Sequence, residues 1–241
     1  MRIEVLPDRA GLMRAAAEEF VNVAARAQAA RGRFSVALSG GSTPAALYTL
    51  LGAADYARQV DWSRVHVFWG DERCVPPDRT QSNYRMAKET LLSKVPLPAE
   101  NVHRIRGEDA PKQAAADYEA LLRRFLGSES LDLVLLGMGD NGHTASLFPG
   151  LPGVTEPVRW VLAQYVEVVS MWRVTLTPVV INAAHHIQFL VAGPEKADRL
   201  REVLEGPTQL DVLPSQAIRP THGELRWLVD APAAARLTRR Q

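Results

Sequence analysis

Short apolar runs alternate along the chain with segments in which apolar residues recur at helical spacing. The apolar runs predict buried strands over residues 34–38, 65–69, 131–136 and 187–191. Helical spacing is shown by Met13, Ala16, Ala17, Phe20, Ala24 and Ala27, by Tyr84, Ala87 and Leu91, by Tyr118, Leu121, Leu122 and Phe125, and by Ala197, Leu200 and Leu204. This alternation predicts an α/β fold in which helices cover both faces of a mainly parallel sheet. Ligands of such sheets bind beyond the carboxyl ends of the strands, so the chemistry is expected in the loops that follow the apolar runs.

The composition favours one globular domain. The 241 residues are 46% hydrophobic and 23% charged, and no repeat or linker divides them, so a single domain over 1–241 is expected. A net charge of +1 argues against a nucleic-acid surface built on bulk charge, and no run is apolar and long enough for a signal peptide or a membrane span. The one cysteine, Cys74, excludes an internal disulfide and a cysteine-rich zinc site. A cytoplasmic protein without nucleic-acid or membrane partners is expected.

A segment rich in glycine and hydroxyl groups follows the first predicted strand and opens a helix. It consists of Ser39, Gly40, Gly41, Ser42, Thr43 and Pro44. The glycines expose backbone N–H groups, the hydroxyls add donors, and Pro44 suits the first position of the helix. A phosphate can sit at this helix N-terminus, whereas an ordinary capped turn needs only one of the hydroxyls. The lysine of a nucleoside-triphosphate loop is absent, which favours a monophosphate.

A histidine lies on a glycine-built loop, residues 137–149, directly after the third predicted strand. The glycines let the backbone turn sharply and approach a ligand closely, which makes His143 a candidate catalytic residue. The spacing of Gly137, Gly139 and Gly142 also matches the fingerprint of dinucleotide-binding sites. That interpretation is rejected, because a proline and a glycine interrupt the following helix within about two turns and no acidic residue ends a second strand at the expected distance.

Charged residues close the second predicted strand, where a pocket is expected. Asp71, Glu72 and Arg73 lie there, followed by a turn. Arg73 can hold a phosphate or a developing oxyanion through paired hydrogen bonds, and either carboxylate can orient it or bind sugar hydroxyls. A solvated charge run is the competing interpretation. Cys74 is expected to be a small packed thiol, since nothing in the sequence shows an activating histidine beside it.

The chain resembles the 6-phosphogluconolactonase family, of the bacterial single-domain type. The resemblance is carried by segments that occur in the family's order and spacing, namely residues 39–44, 69–76, 82–85, 137–149, 173–178 with 181–182, and 189–197. It covers nearly the whole chain, and chance is a poor explanation for so many ordered segments. The fold that it implies is a three-layer α/β/α sandwich with a mainly parallel, Rossmann-like sheet, as in glucosamine-6-phosphate deaminase.

The resemblance also implies an activity, the hydrolysis of 6-phosphoglucono-1,5-lactone to 6-phosphogluconate in the second step of the oxidative pentose phosphate pathway, without a metal or a cofactor. By this similarity His143 is the general base that activates water, Arg73 stabilises the oxyanion, and Asp71 belongs to the catalytic group. The phosphate is expected to bind Gly40, Gly41, Ser42, Thr43, Lys196 and Arg173. Lys196 and Arg173 are expected to flank strands at the same sheet edge. A monomer or a weak homodimer is expected.

One position departs from the family pattern. Members often carry aspartate where this chain has Asn141, and Asp140 occupies the variable position before it. If a carboxylate there normally orients the histidine, Asn141 can only hydrogen-bond it, and Asp71 or another acid must supply any charge. The other interpretation is that residue 141 is chiefly a turn position that accepts asparagine and aspartate equally.

Other functions are weighed against the lactonase. Glucosamine-6-phosphate deaminases share the fold and the phosphate loop, but they carry tyrosine at the position of Arg73 and a glutamate after the histidine that residues 147–149 lack. A catalytically silent sugar-phosphate sensor is a further alternative, against which the retention of His143 and Arg73 weighs. A zinc hydrolase is disfavoured, because His185 and His186 are adjacent and therefore point apart.

Overall fold

The computed structural model describes residues 1–238 and centres on a six-stranded sheet in which all strands run parallel. From one edge to the other, and numbered in chain order, its strands are β1 (Arg2–Leu6), β9 (Glu224–Asp230), β8 (His186–Val191), β5 (Leu133–Gly137), β2 (Phe34–Leu38) and β3 (Val65–Trp69). A second, antiparallel sheet has the order β4 (Asp71–Arg73), β7 (Met171–Leu176) and β6 (Val161–Val166). Both sheets contribute to the site described below.

Helices flank the parallel sheet and complete the three-layer α/β/α fold that the resemblance implies. They are α1 (Arg9–Arg31), α2 (Ser42–Leu51), α3 (Ala54–Ala57), α4 (Asn83–Ala87), α5 (Pro111–Leu126), α6 (Pro178–Ile181) and α7 (Ala197–Glu205). The side of α1 that contains Leu12, Ala16 and Phe20 is buried and packs on β2, β8 and β9. Burying a side chain such as Phe20 contributes about 1.5–3 kcal/mol. All residues of β2 are buried, as expected for a central strand covered on both faces.

The apolar runs predict the bounds of the strands well. The residues expected to begin helices predict the first helical residue less well. β2 and β3 have the predicted bounds, whereas β5 begins at Leu133, two residues later than predicted. The N-cap of α4 is Ser82 rather than Asn83, because the Ser82 hydroxyl accepts the N–H of residue 85 at 3.1 Å. α2 begins at Ser42, so Pro44 is its third residue and not its first. A proline is tolerated there because the first-turn N–H groups have no partner within the helix.

The small antiparallel sheet is not predicted by the sequence. The charged segment Asp71–Arg73, expected to turn after β3, forms β4 and pairs with β7. Arg173, expected to flank a strand of the main sheet, lies inside β7 directly opposite Arg73. Both expectations are wrong. A strand of three charged residues such as β4 has no apolar alternation to reveal it, and its partner β7 is not among the strands predicted from the sequence.

The strand order reverses between β2 and β5. From β2 the chain adds β3 towards one edge, and from β5 it adds β8 and β9 towards the other. In an open parallel sheet such a reversal leaves a crevice outside the carboxyl ends of the two strands, and ligands bind in it. The loops that follow β2 and β5 are the two segments in which the sequence predicts phosphate binding and catalysis.

Candidate active site

A cavity of about 750 Å³ occupies this crevice. It is lined by all nine site residues that were predicted from the sequence: Gly40, Gly41, Ser42, Thr43, Asp71, Arg73, His143, Arg173 and Lys196. They come from separate parts of the chain, and both sheets contribute to them. The fold thus brings the predicted residues together, while their individual roles remain predictions.

The loop after β2 is held in a shape that leaves the start of α2 open. Gly41 has φ 102° and ψ 167°, a conformation that residues with a Cβ rarely adopt. The hydroxyl of buried Tyr48 hydrogen-bonds the N–H and the C=O of Ser39, at 2.8 and 2.9 Å, which fixes the base of the loop. Within the described chain, α2 has no side-chain cap and no acidic residue in its first turn. The first N–H groups of α2 are therefore available to an anion.

His143 lies on a tight turn built from glycines. The N–H of Gly139 donates to the C=O of His143 at 2.9 Å, and the N–H of Gly142 donates to the C=O of Gly139 at 3.0 Å. The imidazole stacks on the ring of Phe148, with centroids 4.0 Å apart and planes 15° from parallel. A Cβ placed on Gly139 would lie 2.0 Å from Cε1 of the imidazole. The ring position therefore requires glycine at residue 139.

Asn141 is the hydrogen-bond partner of His143. Its Oδ1 lies 2.6 Å from Nδ1 of the ring and also accepts the backbone N–H of residue 143 at 3.2 Å. Because a backbone N–H can only donate, the shared atom is an acceptor, and Nδ1 must carry the proton. Neutral His143 therefore has an unprotonated Nε2, which is the state that a general base needs.

Burial lowers the pKa of His143 to about 4. The charge of Asp71 opposes this effect, while the positive charges of Lys196 and Arg173 add to it. The ring is consequently neutral at neutral pH. A neutral partner at Asn141 is compatible with this state, because it fixes the tautomer without stabilising the imidazolium.

The two carboxylates of β4 have different surroundings. Asp71 lines the cavity, and its carboxylate oxygens accept hydrogen bonds from the hydroxyl of Ser146 at 2.6 Å and from the side-chain amide of Asn83 at 3.2 Å.

Glu72 instead accepts hydrogen bonds from the backbone N–H groups of Arg73, Asn83 and Tyr84 and from the hydroxyl of Ser82. Burial raises the pKa of Glu72, and these donors oppose the rise. Glu72 thus fixes the start of α4. Of the two carboxylates of β4, Asp71 is the one that lines the cavity.

Two arginines lie side by side on neighbouring strands of the small sheet. Arg73 on β4 and Arg173 on β7 are direct register partners, and both line the cavity. Each has a buried Nε without a hydrogen-bond partner among the described residues. Arg173 is 8% exposed, and burial lowers the pKa of its guanidinium, an effect that Asp71 opposes and Arg73 increases. Two adjacent cations in a desolvated site favour the binding of an anion between or beside them.

Lys196 reaches the cavity from the segment between β8 and α7. Its ammonium group pairs with the carboxylate of Asp140, on the turn that carries His143, and this pairing lowers the pKa of Asp140. The Asp140 side chain is 82% exposed, so solvent screens the pair and it contributes little stability. A phosphate can therefore replace Asp140 as the partner of Lys196 at little cost.

Further residues that were not predicted as site residues also line the cavity, and they include Arg9, Asn83 and Phe148. Asn83 and Phe148 lie in segments that carry the family resemblance, which is the signal that could have identified them. Arg9 lies outside every such segment, and no local pattern distinguishes it from other helical arginines.

The described residues contain no cluster of metal-binding side chains, and the cysteine lies outside the cavity. Among residues 1–238, no group of three or more His, Cys, Asp or Glu side chains is arranged to hold a metal ion. Cys74 is half-buried and does not line the cavity, and burial raises the pKa of its thiol to about 11. It is a packed thiol, as expected from the sequence. None of the helices within residues 1–238 combines the length and the apolar character that crossing a membrane requires.

The fold and the site together define an α/β protein of the doubly wound type, with a cavity lined by basic side chains and a neutral histidine at the switch point of its sheet. Residues 7–227 match the model of a family described as glucosamine-6-phosphate isomerases/6-phosphogluconolactonase. The chain belongs to this family.

Relatives of similar length support the assignment. A 6-phosphogluconolactonase from Nostoc sp. is 41% identical, and the alignment covers 98% of each chain. The structure of a 6-phosphogluconolactonase from Trypanosoma cruzi is 31% identical and superposes with a TM-score of 0.87 over 99% of this chain and 97% of that one. A monomeric glucosamine-6-phosphate deaminase, 20% identical, has a TM-score of 0.84 over 98% of this chain and 100% of that one. This last similarity concerns the fold alone.

Proposed function

We propose that the chain hydrolyses 6-phospho-D-glucono-1,5-lactone to 6-phospho-D-gluconate, the second step of the oxidative pentose phosphate pathway. The observation that carries the proposal is neutral His143 with a free Nε2 in a cavity that also contains an open helix N-terminus, the buried Arg173 and the half-buried Arg73. The names of relatives that are 41% and 38% identical support the choice of substrate. Only water and side chains of the protein take part in the proposed reaction.

The reaction begins with the attack of water on C1 of the lactone. Nε2 of His143 takes a proton from the water as its oxygen bonds to C1, and the carbonyl electron pair moves to the exocyclic oxygen. When the tetrahedral intermediate collapses, the bond between C1 and the ring oxygen breaks. The ring oxygen leaves as the C5 hydroxyl by taking the proton from the imidazolium. The sum is the addition of one water, and His143 returns to its neutral form.

The charged residues have separate roles in this proposal. Arg73 stabilises the negative charge that develops on the exocyclic oxygen. Asp71 stabilises the imidazolium, in agreement with its upward effect on the pKa of His143. The phosphate binds the N–H groups at the start of α2 together with Arg173 and Lys196. These contacts are made to the phosphate and not to C1, so their binding energy positions the lactone for attack.

Replacing Asn141 by aspartate is expected to raise the pKa of His143, because a carboxylate beside Nδ1 stabilises the imidazolium. The base must be neutral, and its pKa in the wild type is about 4. The acid limb of the pH profile of kcat/KM therefore lies near this value in the wild type and moves upward by about one pH unit or more in Asn141→Asp. Activity then falls at mildly acidic pH and is retained near neutrality. An acid limb that does not move would show that residue 141 acts only as a turn position.

Replacing Lys196 by alanine is expected to raise KM for the phosphorylated lactone by about tenfold and to leave kcat nearly unchanged, because a phosphate contact far from C1 serves ground and transition states alike. Steady-state kinetics on freshly prepared lactone measures both constants. Lys88→Ala is the matched control, since Lys88 is exposed and does not line the cavity. A large fall in kcat at unchanged KM would contradict this prediction and would show that Lys196 acts at the reacting end of the substrate.

The proposed function is tested by comparing 6-phosphogluconolactone with unphosphorylated glucono-1,5-lactone. After subtraction of spontaneous hydrolysis, we expect kcat/KM for the phosphorylated lactone to be higher by about a hundredfold, the effect of a few charge-assisted hydrogen bonds to the phosphate. Equal rates would contradict phosphate anchoring in the cavity. Decay of both lactones at their spontaneous rates would contradict the hydrolase itself.

We also propose that the chain is a single domain over 1–241, that it acts in the cytoplasm as a monomer or weak homodimer, and that nucleic acids and membranes are not its partners. The all-parallel sheet and its single switch point support one domain. The net charge of +1 supports the absence of nucleic-acid binding. Sedimentation of the purified protein over a range of concentrations measures the oligomeric state.

A further inference from the structure

We infer that Arg9 is an additional phosphate-binding residue that increases the selectivity for the phosphorylated lactone, an inference that rests on the proposed function. Arg9 is the first residue of α1, far in sequence from the phosphate loop. Its Nη2 nevertheless donates to the C=O of Ser42 at 2.8 Å, and Arg9 lines the same cavity. The start of α1 is thereby tied to the start of α2, where the phosphate is proposed to bind.

The guanidinium of Arg9 retains unused hydrogen-bonding capacity. Its one hydrogen bond, to Ser42, leaves further N–H donors free, and among the described residues no carboxylate pairs with it. The nearest acid in sequence, Asp8, accepts the N–H of Gly11 at 2.7 Å as the N-cap of α1. Lys196, by contrast, already pairs with Asp140. Within residues 1–238, Arg9 is therefore a cation of the cavity without a paired carboxylate that a phosphate would have to displace.

The position of Arg9 is unfavourable without an anion. A positive charge at a helix N-terminus opposes the helix dipole. Arg9 is hydrogen-bonded at the N-terminus of α2, which has no acidic residue in its first turn, whereas the N-terminus of α1 is capped by the Asp8 carboxylate. A phosphate at the start of α2 offsets both the charge of the guanidinium and the positive end of the α2 dipole. The three cations proposed for the phosphate, Arg9, Arg173 and Lys196, come from three different elements of the fold, which suits them to surround one anion.

The test uses Arg9→Met, which removes the charge and keeps an unbranched side chain, and Arg9→Lys, which keeps the charge. Arg14→Met is the matched control, since Arg14 is exposed on the same helix and does not line the cavity. For the phosphorylated lactone we expect KM to rise about fivefold or more in Arg9→Met and less in Arg9→Lys, with kcat nearly unchanged. Turnover of unphosphorylated glucono-1,5-lactone should be the same in all variants.

Binding of inorganic phosphate, measured by calorimetry, separates this inference from the proposed function. If the wild type binds phosphate more tightly than Arg9→Met but does not hydrolyse the lactone, the proposed function fails and the role of Arg9 stands. If Arg9→Met and Arg14→Met have the same phosphate affinity and the same KM, the role of Arg9 is overturned. An equal loss of activity on both lactones in Arg9→Met would also overturn it, because the residue would then act on the shape of the site rather than on the phosphate.

Discussion

Replacing His143 by alanine should lower kcat/KM for 6-phosphogluconolactone by about 10²- to 10⁴-fold, the contribution typical of a positioned general base. The affinity for the product 6-phosphogluconate should remain within a few-fold of the wild-type value, because the proposed phosphate contacts come from other elements. The two quantities are measured by initial rates on freshly prepared lactone and by calorimetric titration with the product. A large loss of rate with retained binding is the signature of a group that acts on the reacting atoms.

The control for this substitution is His185→Ala, since His185 is exposed and does not line the cavity. It should leave both rate and affinity unchanged. Because His143 is stacked on Phe148, the thermal unfolding of His143→Ala is recorded in parallel to establish that the variant is folded. Turnover close to that of the wild type in a folded His143→Ala protein would contradict the assignment of the base.

Replacing Gly139 by alanine should lower kcat by about a hundredfold, because the methyl group would displace the proposed base. The added Cβ would lie 2.0 Å from Cε1, 2.1 Å from Nδ1 and 2.8 Å from Nε2 of His143, so the imidazole has to move. Asn141 and Phe148 hold the ring on its other sides, and the movement therefore breaks its alignment. The backbone φ at Gly139 is not positive, so the effect arises from the ring contact and not from backbone strain.

Gly70→Ala is the matched control on the same side of the sheet. A Cβ there would lie 3.5 Å from the C=O of Leu38, which is an ordinary contact, and Gly70 does not line the cavity. This variant should keep kcat within a few-fold of the wild-type value. If Gly139→Ala is equally active, the observed placement of His143 against residue 139 is not the catalytic one.

Much of the fold follows from the sequence, because its strands are apolar runs that are buried on both faces. β2 and β3 show this directly, since each is a short segment of mainly apolar residues with a single polar residue within it. β4 could not be predicted in this way. Its three charged residues form a strand only because β7, about a hundred residues later, supplies the partner, and such pairing has no local signal.

The candidate site was predictable where a local motif or the family resemblance marked it. The phosphate loop and the turn around His143 are of this kind. The pairing of Arg73 with Arg173 and the contact of Arg9 with Ser42 are tertiary, and neither can be read from local spacing. Asn141 was only partly predictable. The sequence identifies it as a departure from the family pattern, but its hydrogen bond to Nδ1 of His143 is seen only in the structure.

The most direct test of the central claim is a comparison of two substrates on the wild-type protein: freshly generated 6-phosphogluconolactone, followed by acid release above the spontaneous rate, and glucosamine 6-phosphate, followed by ammonia release. We expect saturable acceleration of lactone hydrolysis and no release of ammonia. Ammonia release, or lactone decay that does not exceed the spontaneous rate, would contradict this expectation.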